Sequence, residues 1–431
     1  MSLIPARWQT GDNAPLGTGV TRTVTALALL IPPLAVLAPK GLTWVALALA
    51  LALTGHDIAT RAVVPHWPRR LALILLALVA WSGLSALWAV RADETLSQLT
   101  ALAAFAIGAL ALIGAGRMMT PTHRRTLARA LTLGLFIAFA LLLIERLFEA
   151  PILGAAKDLS KLKGDELYSI YNRGLGICAI LIWPAALTLW RAERRAGAAT
   201  LPIVLIALAA ALGAWSVLIG IGAALIGAAT VLAGPRFVPR VLGGIAVIVV
   251  LAQPFFANWA IDRFAPANRA AISDNISINH RIIIWEFVSD RIIDRPLAGY
   301  GFNASRSLPG GQRKVELLLA PPKDASGKIA GPPLGAVLSV HPHNAPLQWW
   351  LELGLPGAAL GAMLLLLLYG RAGAYSSRLG RAMACAQITA GACISALAWG
   401  AWQTWWLAGL VLAAWFTLVI TEADDADPAR P

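Results

Sequence analysis

The sequence predicts an all-α polytopic membrane protein with about twelve transmembrane helices, both termini on the inner side, and one large outer loop carrying short helices. Three observations carry that expectation: the composition, apolar runs of membrane length, and the placement of arginine. Of 431 residues, 58% are hydrophobic and only 13% are charged, and the mean hydropathy is +0.70. Soluble domains carry about 25% charged residues. Lysine and arginine outnumber aspartate and glutamate 35 to 22, a net charge of +13. In a soluble protein that excess would point to nucleic acid, so the positions of the charges decide the matter.

Apolar stretches of roughly 17 to 24 residues, enough to cross a hydrocarbon core of about 30 Å, recur along the chain. The first, 23–38, follows a polar N-terminus and has no small-residue cleavage site close behind it. It reads as a retained span and not as a removed signal peptide. The second, 41–55, is short, and is followed by 71–90, 97–116, 126–146 and 169–190. The seventh and eighth, 199–215 and 216–234, meet at Trp215 and Ser216, and 241–258 is the ninth. Three more, 347–370, 384–400 and 402–420, close the series. The chain thus divides into a first bundle (1–258, spans 1–9), a hydrophilic loop (259–346), a second set of spans (347–420, spans 10–12) and an acidic tail (421–431) expected to be disordered.

Charge placement tests the count, because inner loops collect Lys and Arg. With both ends inside, the inner segments hold Arg7, Arg22, Arg61, Arg69, Arg70, Arg117, Arg124, Arg125, Arg129, Arg191, Arg194, Arg195, Arg236, Arg240, Arg371, Arg378, Arg381 and Arg430. The short outer loops before residue 259 hold only Lys40, Arg91, Arg146, Lys157, Lys161 and Lys163. Most of the basic excess is therefore an orientation signal, and nucleic acid is excluded as a partner. Cys178, Cys385 and Cys393 lie within apolar runs, where a small hydrophobe is the expected role and neither a disulfide nor a zinc site is indicated.

The loop 259–346 is the one hydrophilic segment large enough to build a site. Within it, 280–295 reads as a helix ended by Pro296 and followed by the turn Gly299-Tyr300-Gly301. At 100° per residue Arg281 lines up with Trp285, Val288 and Ile292, away from Glu286, Asp290 and Asp294. An arginine on that stripe either snorkels or meets an anion that its own helix does not supply. In His341-Pro342-His343-Asn344-Ala345-Pro346, Asn344 suits an N-cap and Pro346 a first helical turn. His343 then stands just before a helix N-terminus, where the dipole favours the neutral imidazole of a general base and also favours phosphate. Polar capping or interfacial packing is the alternative, and for His341 it is the reading adopted. Arg173, following Tyr171 and Asn172, is expected about a turn inside an apolar helix, facing a cavity or snorkelling to the interface. There is no Walker loop, GxGxxG, GxSxG or HExxH, and no carboxylate pair suggests a metal site, so neither metal nor cofactor is expected.

His343-Asn344-Ala345-Pro346-Leu347 with Glu352-Leu353-Gly354-Leu355-Pro356-Gly357 resembles the signature of the O-antigen ligase and polymerase superfamily. Arg281 with Trp285, and Pro296-Leu297-Ala298-Gly299-Tyr300-Gly301, resemble the same family's R-x3-W and PL-x-GYG segments, and Asn172-Arg173 an arginine position early in a middle span. The matches run in order over residues 168–360. The resemblance implies an inverting, metal-independent glycosyltransferase of GT-C-like fold in a Gram-negative inner membrane. It would move O-antigen polysaccharide from undecaprenyl pyrophosphate to a sugar hydroxyl of lipid A core at the periplasmic face. His343 would be the base, and Arg281 and Arg173 would neutralise the departing pyrophosphate, with Asn344, His341, Arg146, Arg306 and Tyr300 as further contacts. Many relatives carry Ser-Arg-Gly where this chain has Ser216-Val217-Leu218, so an arginine from elsewhere would complete the clamp. A polymerase would tend to have two large outer loops and a protein-modifying transferase a C-terminal domain, which favours the ligase. A transporter would hold its charges near the midplane, not at one face.

Overall fold

The computed structural model describes residues 16–61, 67–117, 119–156, 158, 165–264, 276–316 and 334–421. The tail expected to be disordered, the ends bearing Arg7 and Arg430, and Lys157, Lys161 and Lys163 lie outside the described residues. Helices fall at each expected span: α1 (Thr18–Leu37), α2 (Leu42–Arg61), α3 (Arg69–Leu84), α4 (Ala92–Arg117) and α5 (Pro121–Leu147). Two short helices, α6 (Pro151–Ala156) and α7 (Asp165–Ser169), precede α8 (Asn172–Arg191), α9 (Arg195–Ala211), α10 (Trp215–Ala233) and α11 (Val238–Phe264). Then come α12 (Ile276–Asp294), outside the expected spans, α13 (Ala345–Ala372), α14 (Arg378–Leu397) and α15 (Thr404–Thr421). Among the described residues, 10 helices are long and apolar enough to cross a membrane; α9, at 17 residues, is shorter, and α14 is not one of the 10. The expected loop of short helices also contains a ribbon, β1 (Lys314–Glu316) antiparallel to β2 (Leu334–Ala336).

Helix starts follow from local chemistry. Thr120 accepts from the backbone N–H of His123 at 3.4 Å, Ser377 from that of Gly380 at 2.9 Å, and Asn344 from that of Leu347 at 3.0 Å. α8 is the most enclosed helix, with Leu175, Ile177, Cys178, Ile180 and Ile182 fully buried among α1, α5, α9, α14 and α15. Small residues set these distances, as expected where lipid removes the hydrophobic drive between helices and close contact must supply attraction. At Gly134 of α5, a Cβ would lie 2.3 Å from the Leu29 carbonyl of α1. Large apolar residues such as Leu51, Leu73, Leu76, Ile226 and Ile248 face outward, with Trp44, Phe148, Trp215 and Phe237 exposed at or just beyond helix ends, a distribution suited to lipid and its interfaces.

Several of the arginines expected on the inner side close helix C-termini. Arg124 donates to the carbonyls of Met119 (2.8 Å) and Arg117 (3.0 Å), Arg191 to Ile420 (2.6 Å), and Arg378 to Gly234 (2.9 Å). Those of Arg117, Ile420 and Gly234 stand at helix ends that leave carbonyls without intrahelical donors, so arginines expected to mark the inner side also satisfy the backbone.

At the opposite end, α13 breaks. Gly354 has φ 63° and ψ −159°, and the chain 296–301 lies along the break. Tyr300 N donates to Leu351 O (2.9 Å), Gly301 N to Glu352 O (2.8 Å), and Leu355 N to Pro296 O (2.8 Å). Trp81 Nε1 donates to Leu353 O at 2.9 Å and Trp88 Nε1 to Ala298 O at 3.1 Å. Irregular backbone within an apolar bundle is tolerated because these partners satisfy it. Alanine at 354 would put a Cβ 2.4 Å from Leu297 O on a backbone with positive φ. Gly354→Ala is therefore expected to cost about 2 kcal/mol or more, read as a lower thermal midpoint of the detergent-solubilised protein; an unchanged midpoint would show that the break is not required.

Candidate active site

The segment 341–344 sits between α12, the start of α13 and the turn joining α14 to α15. Asn344 is fully buried and caps α13 through its Oδ1, as expected, while its Nδ2 is buried with no partner among the described residues. His343 has a positive φ of 54°. Its Nδ1 lies 2.8 Å from the carbonyl of Ala398. A carbonyl only accepts, so Nδ1 carries the proton and Nε2 keeps its lone pair. Burial, followed by the charges of Arg281 and His280, pulls the His343 pKa from 6.5 down to about 4, against the bond to Ala398. The expectation of a neutral ring holds, but desolvation and not the helix dipole is its chief cause.

α12 closes the site from above. Ile284, Val288 and Ile292 are buried against α13, and Trp285 Nε1 donates to Pro342 O at 2.9 Å, tying the helix to the histidine segment. His280 Nε2 lies 2.7 Å from Ala336 O of β2 and so joins α12 to the ribbon. Arg281 is held at the same end. It donates to the carbonyl and hydroxyl of Ser277, its Nε is buried with no partner among the described residues, and burial lowers its pKa. A guanidinium bonded, among the described residues, to neutral oxygens, and whose charge reaches a neutral imidazole, can receive an anion.

Arg173 lies about a turn or more into the apolar helical run Leu167–Arg191, as expected. It is the second residue of α8, exposed, and its guanidinium stands 5.9 Å from the Trp405 ring centre. Trp405 packs edge-on against Trp399 at 4.9 Å, next to Ala398, which holds His343. The structure thus links Arg173 to the histidine through aromatic rings, near the start of a candidate span. Beneath it, the buried Glu145 accepts from Tyr171 Oη and from the backbone of Ile152 (2.8 Å) and Leu153 (3.3 Å).

The remaining expected contacts separate. Tyr300 is buried in the packing of α12 and α13 with Arg295 over its ring at 4.8 Å, so it supports the site and does not line it. Arg146 lies near the α9–α10 junction where the Ser-Arg-Gly arginine is missing, bonded to Ala211 O at 3.1 Å and over the Tyr168 ring at 4.7 Å. Arg306 ends a 3-10 turn, exposed, with its charge acting on His341. His341 is buried with both ring nitrogens engaged: Nδ1 accepts from His343 N at 3.1 Å, and Nε2 is 3.0 Å from the Gln403 amide.

Glu352 stands in the ELG motif read from the sequence but was given no role there, although a carboxylate inside an apolar run is a signal in itself. It is fully buried and accepts from Asn303 N (2.7 Å), Ser305 N (3.3 Å), Ser305 Oγ, Gln348 Nε2 (2.9 Å) and Trp402 Nε1 (2.7 Å). It gathers three separate stretches of chain behind the histidine segment. Among the described residues no group of 3 or more His, Cys, Asp or Glu could hold a metal ion.

A many-helix membrane protein that gathers a histidine and, among the described residues, a guanidinium without an anionic partner beside a helix N-terminus has the form of a transferase-type enzyme. Comparison with known proteins narrows the class. Residues 203–362 match the model of a family described as O-antigen ligase. A protein of Rickettsia conorii named "Putative polysaccharide ligase" is 24% identical over 78% of this chain and 76% of its own length. Its namesake in Rickettsia typhi is 24% identical over 77% and 76%, and that in Rickettsia prowazekii is 33% identical over 30% and 29%. These similarities bear out the resemblance to the O-antigen ligase superfamily that the HN and ELG motifs carry.

Proposed function

We propose that the protein is an O-antigen ligase, an inverting, metal-independent glycosyltransferase that moves O-antigen polysaccharide from undecaprenyl pyrophosphate to a sugar hydroxyl of lipid A core. The reading includes a GT-C-like bundle crossing a Gram-negative inner membrane twelve times, both termini cytoplasmic, with 259–346 as the periplasmic loop. The observation that carries it is the presence at one site of a His343 Nε2 and an Arg281 guanidinium that, among the described residues, have no hydrogen-bond partner and no anionic partner respectively. His343 Nε2 takes the proton of the acceptor hydroxyl as that oxygen bonds the anomeric carbon. The bond from that carbon to the pyrophosphate oxygen breaks with inversion, and undecaprenyl pyrophosphate leaves. Arg281 and Arg173 stabilise the charge growing on the leaving group, where a planar fork matches phosphate oxygens.

The test is transfer by the full-length protein in proteoliposomes, with an undecaprenyl-pyrophosphate-linked oligosaccharide and lipid A core. Wild type is expected to form core-linked glycan. Arg281→Ala is expected to lose about 10²–10³-fold in kcat, the scale of removing one donor that stabilises a developing anion, and Arg281→Lys to recover part of it. Arg281→Ala with wild-type kcat would remove the leaving-group role.

A further inference from the structure

The turn 398–403 between α14 and α15 holds the histidine segment at two points and the first turns of α13 at two more. Ala398 O takes the proton on His343 Nδ1, Ala401 N donates to Gln348 Oε1 at 2.8 Å, Trp402 donates to Glu352, and Gln403 meets His341. His343 needs such support, because the left-handed conformation is strained in a residue with a Cβ. Its own backbone N–H is taken by the His341 ring at 3.1 Å.

We propose that His341 is a positioning residue for His343, its Nδ1 accepting the His343 backbone N–H and so holding that residue in the left-handed conformation that aims Nε2 at the acceptor. The surroundings of His341 fix it in that role. Its ring lies 4.3 Å from the His343 ring centre, and a Cβ at Gly400 would come within 2.8 Å of it, so only glycine leaves room. With Nδ1 accepting, the proton sits on Nε2 and needs an acceptor. Gln403 Oε1, buried with no other partner among the described residues, supplies it once the amide is turned to bring oxygen and not nitrogen to the ring. The groups whose charge reaches His341 are His343, Arg306 and Arg281, each disfavouring a second proton that would abolish the accepting lone pair. The chain Gln403, His341, His343 thus transmits the position of the α14–α15 turn to the reacting nitrogen.

The inference rests on the reading of His343 as the base, and one set of variants keeps the two claims apart. In the same proteoliposome assay, His341→Leu is expected to lose about 10- to 100-fold in kcat, the cost of misplacing a reacting group by about 1 Å, with KM for the lipid-linked donor little changed. His341→Asn, whose Oδ1 falls where Nδ1 now lies, is expected to retain kcat within about threefold because the accepting atom survives. Gln403→Leu, which leaves the fold of the 341–344 segment intact, is expected to fall between them. Should His341→Leu prove unstable, the order wild type, His341→Asn, Gln403→Leu in kcat at constant KM carries the test. His341→Leu or Gln403→Leu at wild-type kcat overturns the positioning role, and so does His341→Asn as slow as His341→Leu. Full activity of His343→Ala in the same series overturns the base assignment instead, and the positioning role with it.

Discussion

His343→Ala is expected to lower kcat for glycan transfer by about 10²–10⁴-fold, the range of a positioned general base. KM for the donor should change little, because the leaving group is held by arginines and not by the imidazole. The loss should be one of chemistry and not of folding: among the described residues the Nδ1 bond to Ala398 is the ring's single hydrogen bond, and Asn344 caps α13 independently. The pH profile offers a second reading of the same residue. Since the His343 pKa is lowered from 6.5 to about 4, the neutral form persists as pH falls. In the free enzyme kcat/KM should therefore stay flat from about pH 8 to about pH 5, where a histidine of ordinary pKa would already be largely protonated. A bound pyrophosphate would raise the pKa, so the acid limb of kcat should lie above that of kcat/KM. A decline of kcat/KM centred near pH 6.5 would contradict the buried, neutral base.

Glu352→Ala is expected to be the most destabilising single change near the site. Two carboxylate oxygens receive five donors there, and removing them strands the backbone N–H groups of Asn303 and Ser305 and the Trp402 indole in a buried place. Charge-assisted hydrogen bonds contribute about 1.5–3 kcal/mol each, and buried orphan donors carry a full desolvation penalty, so a loss of about 3–5 kcal/mol is expected. Glu352→Gln keeps one accepting oxygen and should fall between wild type and Glu352→Ala in thermal midpoint and in monodisperse yield. Equal midpoints for wild type and Glu352→Ala would show that the 303–305 turn and Trp402 are held by something else.

The positions of the long helices were legible because apolar runs of membrane length leave little choice: a backbone in lipid must satisfy itself, and a helix does so. The Asn344 cap and the stripe of Trp285, Val288 and Ile292 were legible for the same local reasons. What escaped depended on the tertiary arrangement. Arg173 was legible as lying about a turn inside an apolar run, but its exposure over Trp405, a ring far along the chain, was not. The break at Gly354 had a local signal in Gly354 and Pro356 within one apolar run, but its partner strand 296–301 lies far off in sequence. The ribbon β1–β2 joins segments too short to show alternation. The turn 398–403 acts through the carbonyl of Ala398 and the missing side chain of Gly400, and such groups have no signature in a sequence. His341 was read as packing or capping, and the structure sharpens that into a specific bond to its neighbour but one.

The central claim is that this site joins a glycan carried on a lipid pyrophosphate to lipid A core without a divalent metal. One measurement addresses it: purified full-length protein in proteoliposomes with chelator, one labelled undecaprenyl-pyrophosphate-linked oligosaccharide, and three acceptors offered separately, namely lipid A core, a second lipid-linked oligosaccharide and a pilin-like protein. Label is expected on lipid A core alone, with inverted anomeric configuration, and none with His343→Ala. Label on either other acceptor but not on the core, or transfer that requires added magnesium, would contradict it.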